Sequence, residues 1–271
     1  MENNLFSVKD KVIVLTGGTG VLGGSITKHL AKEKAIVVIL ARNEETGKGL
    51  EEEIRKDGGK ALFLKTDVLD REMLEQNCKI IMDTFGSIDV LINLAGGNMP
   101  GATIPPDKTF FDLDVEAFRK VVDLNLFGTV IPTMVFARVM VEQKKGSIIN
   151  VSSESALRPL TRVVGYGSAK AAINNFTQYM AGELAIKFGE GLRVNAIAPG
   201  FFLTEQNRAL MTNPDGTPSD RCQTIVAHTP FRRLGQPEEL LGTVQWLASD
   251  ASAFVTGTVI PIDGGFDAFS I

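Results

Sequence analysis

Short apolar, β-branched runs recur through the first third of the chain at Val12 (VIVLT), Ile36 (IVVILA), Ala61 (ALFLKT) and Ile88 (IDVLIN), about 25 residues apart. The segments between them carry a helical period. In the first, Leu22, Ile26, Leu30 and Ala31 fall on one face, and Lys28, Lys32 and Glu33 fall on another. Strands that are apolar on both faces, separated by helix-length stretches, predict parallel strands covered by helices on both sides. Right-handed crossovers wind such units into a doubly wound sheet. The second half continues with a helix over 115–141, a strand over 147–151, a helix over 165–188 and a strand over 192–197. A helix over 237–248 follows, opened by Pro237, Glu238 and Glu239, and a last strand spans 259–262. The expected fold is therefore α/β, with about seven parallel strands in one domain over 1–271. One long interruption, 204–234, holds the turn formers Pro214, Asp215, Gly216 and Pro218. So long a segment inside a compact domain reads as a substrate lid or as small helices of its own.

Composition narrows the class. An apolar share of 44% and a charged share of 22% are those of an ordinary globular chain, which excludes disorder. No continuous apolar run approaches the ~18 residues of a membrane span, and Met1–Lys11 is too polar for a secretory signal, so a cytoplasmic protein is expected. Cys78 and Cys222 lie far apart with no nearby His or second Cys, which reads as reduced thiols rather than a disulfide or a metal site. A net charge of −4 argues against a nucleic-acid partner.

Glycine, at 27 residues, is the unusual figure, and five of them crowd one place. Thr16-Gly17-Gly18-Thr19-Gly20-Val21-Leu22-Gly23-Gly24 joins the first strand to the first helix. Glycine lets the backbone approach a ligand there, and the helix N-terminus behind it offers unpaired N–H groups to a phosphate. At the first crossover of a doubly wound sheet this predicts a Rossmann-type dinucleotide site. The second strand ends Ala41-Arg42-Asn43, where an acid would bind the ribose of the unphosphorylated cofactor. Arg42 instead offers a cation to a 2′-phosphate, so NADP(H) is expected, with NAD(H) as the alternative. Asp67 and Val68 would flank the adenine, and Asn93, Ala95 and Gly96 would run beside the ribose and pyrophosphate.

Tyr166 and Lys170, four apart at the start of a long helix, share a face. Ser153 follows the strand over 147–151, at the carboxyl edge of the sheet, and Asn125 lies in the helix before it. With the glycine turn, Asn93-x-Ala95-Gly96, Asn195-x-x-x-Pro199-Gly200, Thr204 and Asp263-Gly264-Gly265, the chain resembles the short-chain dehydrogenase/reductase family along nearly its whole length. The resemblance implies a ketone–alcohol oxidoreductase. Tyr166 would be the acid/base, its pKa lowered by Lys170 and the oxidised nicotinamide, and Ser153 would hold the substrate oxygen. Lys170 would also bond the nicotinamide ribose, Asn125 would position a water, and Pro199, Gly200, Phe202 and Thr204 would complete the cofactor site. The family also implies a homotetramer built on its two long helices, here 118–140 and 173–188. One departure stands in the turn: glycine at position 20 and Val21 after it give the spacing of the family's larger branch. The length of 271 residues and the Asp263-Gly264-Gly265 ending are those of the smaller, single-domain branch.

Several segments resemble the family's D-mannonate oxidoreductase (D-fructuronate reductase) subgroup, among them Ala95-Gly96-Gly97-Asn98, Ala156–Arg162, Phe201–Arg208, Thr212–Gly216 and Phe266–Phe269. A sugar acid calls for cations and many hydrogen-bonding groups. Asn98, Arg158, Arg162, Gln206, Asn207 and Arg208 supply them, and Asn98, Ser153, Arg158, Tyr166 and Arg208 are the expected substrate contacts. Gluconate-type acids, polyols and a 3-oxoacyl group stay open as substrates, and a non-catalytic dinucleotide sensor as the reading outside enzymes. His228 either reaches substrate from the lid or is structural.

Overall fold

The computed structural model describes residues 4–204, 208 and 210–268. Their centre is a seven-stranded, wholly parallel sheet in the order β3-β2-β1-β4-β5-β6-β7. The strands are β1 (Val12–Thr16), β2 (Ile36–Ala41), β3 (Lys60–Lys65), β4 (Val90–Asn93), β5 (Gly146–Val151), β6 (Leu192–Pro199) and β7 (Val259–Ile262). In β1 alternate side chains leave opposite faces. Ile13 and Leu15 join the layer of helices α1 (Val21–Lys32), α2 (Glu44–Lys56) and the late helix over Leu241–Ala248. Val12 and Val14 join the layer of α3 (Arg71–Phe85), α5 (Gly128–Gln143) and α6 (Val164–Phe188). Both faces are dry, which is why the strands read as unbroken apolar runs.

Caps explain several of the boundaries. Asn43 accepts from the Thr46 N–H at 3.0 Å to open α2, and Asp70 accepts from Met73 at 3.0 Å to open α3. Gly86, at φ 76°, ends α3 in the left-handed region.

The single helix expected over 115–141 is three pieces: α4 (Val115–Val122), a π turn (Asp123–Phe127) and α5. Together they run unbroken through Val115–Gln143, and an 18-residue window within them has mean hydropathy 1.6, long and apolar enough to cross a membrane. Counting uninterrupted apolar runs missed this, because Asn125, Thr129, Thr133 and Arg138 break the run. Half of that apolar window is buried inside the protein, with Val135, Phe136 and Met140 in the core.

The segment over 204–234 carries a helix, α7 (Asp220–His228), an antiparallel bridge between Thr212 and Pro218, and a small core. Met211, Cys222 and Ile225 form that core, against Phe201, Leu203, Val226 and Leu234. The helix expected over 237–248 is a 3-10 turn (Pro237–Leu240) leading into α8 (Leu241–Ala248).

Candidate active site

The strand order reverses between β1 and β4, and open α/β sheets take ligands at the carboxyl edge of such a switch. The ends of β1, β5 and β6 and the loop after β4 line a cleft of about 810 Å³ there. One wall is the glycine turn. Gly17 has φ 66°, and a Cβ on it would stand 2.9 Å from the Ala95 Cα, so this turn can lie against the loop after β4 only as glycine. The Thr16 hydroxyl fixes the same approach by accepting from the Leu94 and Ala95 N–H groups at 3.0 and 3.2 Å.

Helix α1 starts at Val21, and its cap, Gly20, has no side-chain oxygen to bond the first N–H groups. Val21, Leu22 and Gly23 of that turn line the cleft, so a phosphate placed there would meet donors and the positive dipole end. Val21, where the spacing departs from the smaller branch, opens α1 and lines the cleft.

Gly17, Thr19, Gly20, Val21, Leu22, Arg42, Asn43, Asp67, Val68, Ala95, Gly96, Pro199, Gly200, Phe202 and Thr204 all line the cleft. Arg42 is exposed at the end of β2, and the buried Ala41 beside it presents no acid. Asn93 is the exception. It is 1% exposed inside β4, and its amide donates at 2.9 Å both to the Thr133 hydroxyl and to the Asn150 Oδ1. Asn150 in turn donates to Thr177 at 2.9 Å. Asn93 thus pins α5 and α6 to the sheet from within and does not reach the cofactor side. Its register at the last position of β4 turns it inward, which the motif alone did not show.

Tyr166, Lys170 and Ser153 converge at the inner end of the cleft. The Lys170 ammonium lies 5.5 Å from the Tyr166 ring centroid and donates to the Val151 carbonyl at 2.7 Å. It is 3% exposed, and burial pushes its pKa down to about 7. Burial pushes the Tyr166 phenol up from its ordinary value, while a hydrogen bond with Ser153 pulls the other way. Desolvation of Lys170 disfavours the ammonium charge beside the ring.

Ser153 caps a 3-10 turn, Glu154–Ala156, and its hydroxyl meets the Ser155 hydroxyl at 3.0 Å. Asn125, in the π turn and fully buried, donates to the Gly97 carbonyl at 2.7 Å and to the Val121 carbonyl at 2.8 Å. Its Oδ1 accepts from the Gly97 N–H at 3.1 Å. The widened turn aims this amide at the cleft floor, a common use of π turns at functional sites.

The expected substrate contacts separate. Ser153 and Tyr166 are in the cleft, and Asn98, Arg158 and Arg208 are outside its lining. Asn98 is exposed and caps its own loop, accepting from the Met99 N–H at 2.9 Å. Arg208 is exposed, and its N–H donates to the Thr204 carbonyl at 2.9 Å. Arg158 is paired: its Nε donates to the Asp267 carboxylate at 2.7 Å and an Nη to the Asp267 carbonyl, so its charge is already answered within the chain. Gln206, Asn207 and Phe269 lie outside the described residues. His228 is exposed and bonds the Thr224 carbonyl of its own helix at 2.8 Å.

Sequence reading missed Glu154. It is 1% exposed beside Ser153, its carboxyl lies against the Asp263 carboxylate, and among the described residues no N–H or hydroxyl group donates to it. Burial pushes its pKa up to about 7, Asp263 and Asp267 push it further, and Arg158 opposes them. A glutamate between two serines carries no periodic signal; only the return of the C-terminal strand end brings the acids together.

A parallel sheet whose first crossover is a glycine turn, with a tyrosine–lysine pair facing the same cleft, defines a nicotinamide-dinucleotide oxidoreductase. The chain belongs to the short-chain dehydrogenase family, which it matches over residues 11–215. It is 46% identical over 270 residues to the uncharacterized oxidoreductase UxuB of Bacillus subtilis (strain 168), with 96% of each chain covered. Among solved structures it resembles, at TM-score 0.91 and 42% identity, a Haemophilus influenzae protein provisionally named a D-mannonate oxidoreductase, with NAD bound; 98% of this chain and 99% of that one align. It also resembles, at TM-score 0.87 and 28% identity, a gluconate 5-dehydrogenase from Burkholderia cenocepacia J2315 in complex with NADP and tartrate, over 98% of this chain and 99% of that one.

Proposed function

We propose that the protein is an NADP(H)-dependent oxidoreductase that interconverts a keto sugar acid and its alcohol, with D-fructuronate and D-mannonate as the pair. The observation that carries the chemistry is the convergence of Ser153, Tyr166 and Lys170 on one end of a dinucleotide-sized cleft. The resemblance to the Haemophilus influenzae structure supports the substrate. Exposed Arg42, with no acid at Ala41, supports the phosphorylated cofactor.

When bound, the nicotinamide supplies the hydride. The protein's share is to place the carbonyl and manage the proton. Ser153 donates to the substrate oxygen, and charge growing there is held by a fixed donor in a water-poor site. Tyr166, kept protonated by burial, donates its phenolic proton to that oxygen. Lys170, with its pKa at about 7, both accepts and releases a proton near neutrality and so restores Tyr166 between turnovers. Asn125 clamps Gly97 and thereby holds the cleft floor; it is a positioning residue. The segment over 204–234 serves as the substrate lid. Exposed Met134 on α5 with Tyr179 and Ile186 on α6 suits these helices to assembly as a homotetramer.

A gluconate-type acid is the second reading, favoured by the likeness to the Burkholderia cenocepacia enzyme. A panel of uronates, gluconates, polyols and 3-oxoacyl compounds assayed with NADPH and NADH tests both. Activity confined to uncharged or acyl substrates refutes the sugar-acid reading, and a tenfold preference for NADH refutes the role of Arg42.

A further inference from the structure

Arg158, the arginine that sequence favoured for a substrate carboxylate, is neutralised by Asp267. Two other arginines have no carboxylate partner among the described residues. Arg162 lies in the loop that joins the Ser153 turn to the Tyr166 helix, four residues before Tyr166. It is a non-glycine residue at φ 76°, and its carbonyl is held by the Ile104 N–H at 2.9 Å. Arg221 projects from α7, in the segment over 204–234, and its Nη1 reaches the Thr161 hydroxyl at 3.4 Å. Arg221 is thus held against the residue that precedes Arg162, although the two arginines belong to different elements.

Both side chains are half-buried, and neither has a carboxylate partner among the described residues. Arg55, Arg71, Arg119 and Arg233, in contrast, each hold an acid within 2.8 Å. Desolvation and the charge of Arg162 both push the Arg221 pKa down from its ordinary value, so the pair repels as it stands. Two partly desolvated cations side by side, one on a strained backbone, are costly unless an anion joins them. A carboxylate bridging two guanidinium forks answers that cost with charge-assisted hydrogen bonds.

We propose that Arg162, on the loop before Tyr166, and Arg221, on α7, both outside the cleft lining, form a clamp for the substrate's carboxylate. This rests on the sugar-acid reading above and gives it its specificity determinant. Because Arg221 belongs to α7 and Arg162 to the loop before Tyr166, an anion between them also ties α7 to that loop. An acid recognised this way carries its charge far from the reacting carbon, which sets it apart from 2-oxo acids.

The test compares D-fructuronate with D-fructose, which keeps the ketone and replaces the carboxylate by a hydroxymethyl group. The wild type should favour fructuronate in kcat/KM. In Arg162→Ala and Arg221→Ala that preference should fall by roughly tenfold to a hundredfold, the scale of losing a charged hydrogen-bond partner. Melting temperature and NADPH affinity serve as controls for folding. Arg221→Lys should recover part of the preference. If the wild type prefers fructuronate and both variants keep that preference, the clamp is refuted while the sugar-acid reading stands. If the wild type reduces neither compound, that reading fails. The clamp is then decided by calorimetric binding of D-gluconate to the NADPH complex: binding weakened tenfold in both variants supports it, and no binding to the wild type overturns it.

Discussion

Replacing Glu154 by glutamine should stabilise the protein at alkaline pH and leave it nearly unchanged in acid. The carboxyl is 1% exposed, no N–H or hydroxyl group among the described residues donates to it, and it meets the acids Asp263 and Asp267, so its pKa stands at about 7 rather than the ordinary 4.5. Each tenfold in that proton equilibrium is about 1.4 kcal/mol, so ionising Glu154 in the folded state costs about 3 kcal/mol. Below about pH 4.5 both folded and unfolded chains hold the proton, and the glutamate is not penalised. Between 4.5 and 7 the unfolded chain has released the proton and the folded one has kept it, so stability falls as pH rises. Above about 7 the full cost is present. A glutamine side chain carries no such penalty, and its amide can donate to the acid opposite.

Urea unfolding of both proteins at about pH 5 and about pH 8 measures the effect. The stability gain from Glu154→Gln should be larger at the higher pH by about 2 kcal/mol. An offset of the same size and sign at both pH values would refute the reasoning, since it would mean that Glu154 does not titrate between them.

Two further perturbations probe the cleft. Gly96→Ala would place a Cβ 2.6 Å from the Asn125 Oδ1, a group fixed by both the N–H and the carbonyl of Gly97. It should cost roughly 1–3 kcal/mol of stability by overpacking and weaken NADPH binding at least tenfold. Gly97→Ala, with open space around its Cβ, is the control, and equal melting temperatures for the two variants would contradict this account. For Lys170, a pKa at about 7 means that the protonated form is lost as pH rises through neutrality. The kcat for ketone reduction should therefore fall above about pH 7 and that for alcohol oxidation should rise. A reduction rate flat from about pH 6 to 9 would contradict the relay role.

The fold was legible because both faces of each strand are apolar, so β1, β2 and β7 show in the chain with the limits they have in the structure. The π turn at Asp123–Phe127 was not legible, since a one-residue widening leaves the helical period almost unchanged. In the site, the glycine turn and the Tyr166–Lys170 pair are local patterns and could be read directly. Asn93 and Arg158 could not be placed, because their partners Asn150 and Asp267 are distant in sequence. The same holds for Glu154, whose acidic neighbours arrive on the C-terminal segment. Arg162 could be named but its neighbour could not, since Arg221 reaches the adjacent Thr161 only through the placement of α7.

The most direct test of the central claim is the rate of D-fructuronate reduction by NADPH in Tyr166→Phe against wild type. The phenylalanine keeps the ring beside Lys170 and removes only the hydroxyl that donates the proton. The account predicts a loss of roughly 10²–10⁴ in kcat, the usual scale for a general acid, with NADPH affinity within a few-fold of wild type. A variant that binds NADPH and still reduces the substrate at more than a tenth of the wild-type rate would contradict it.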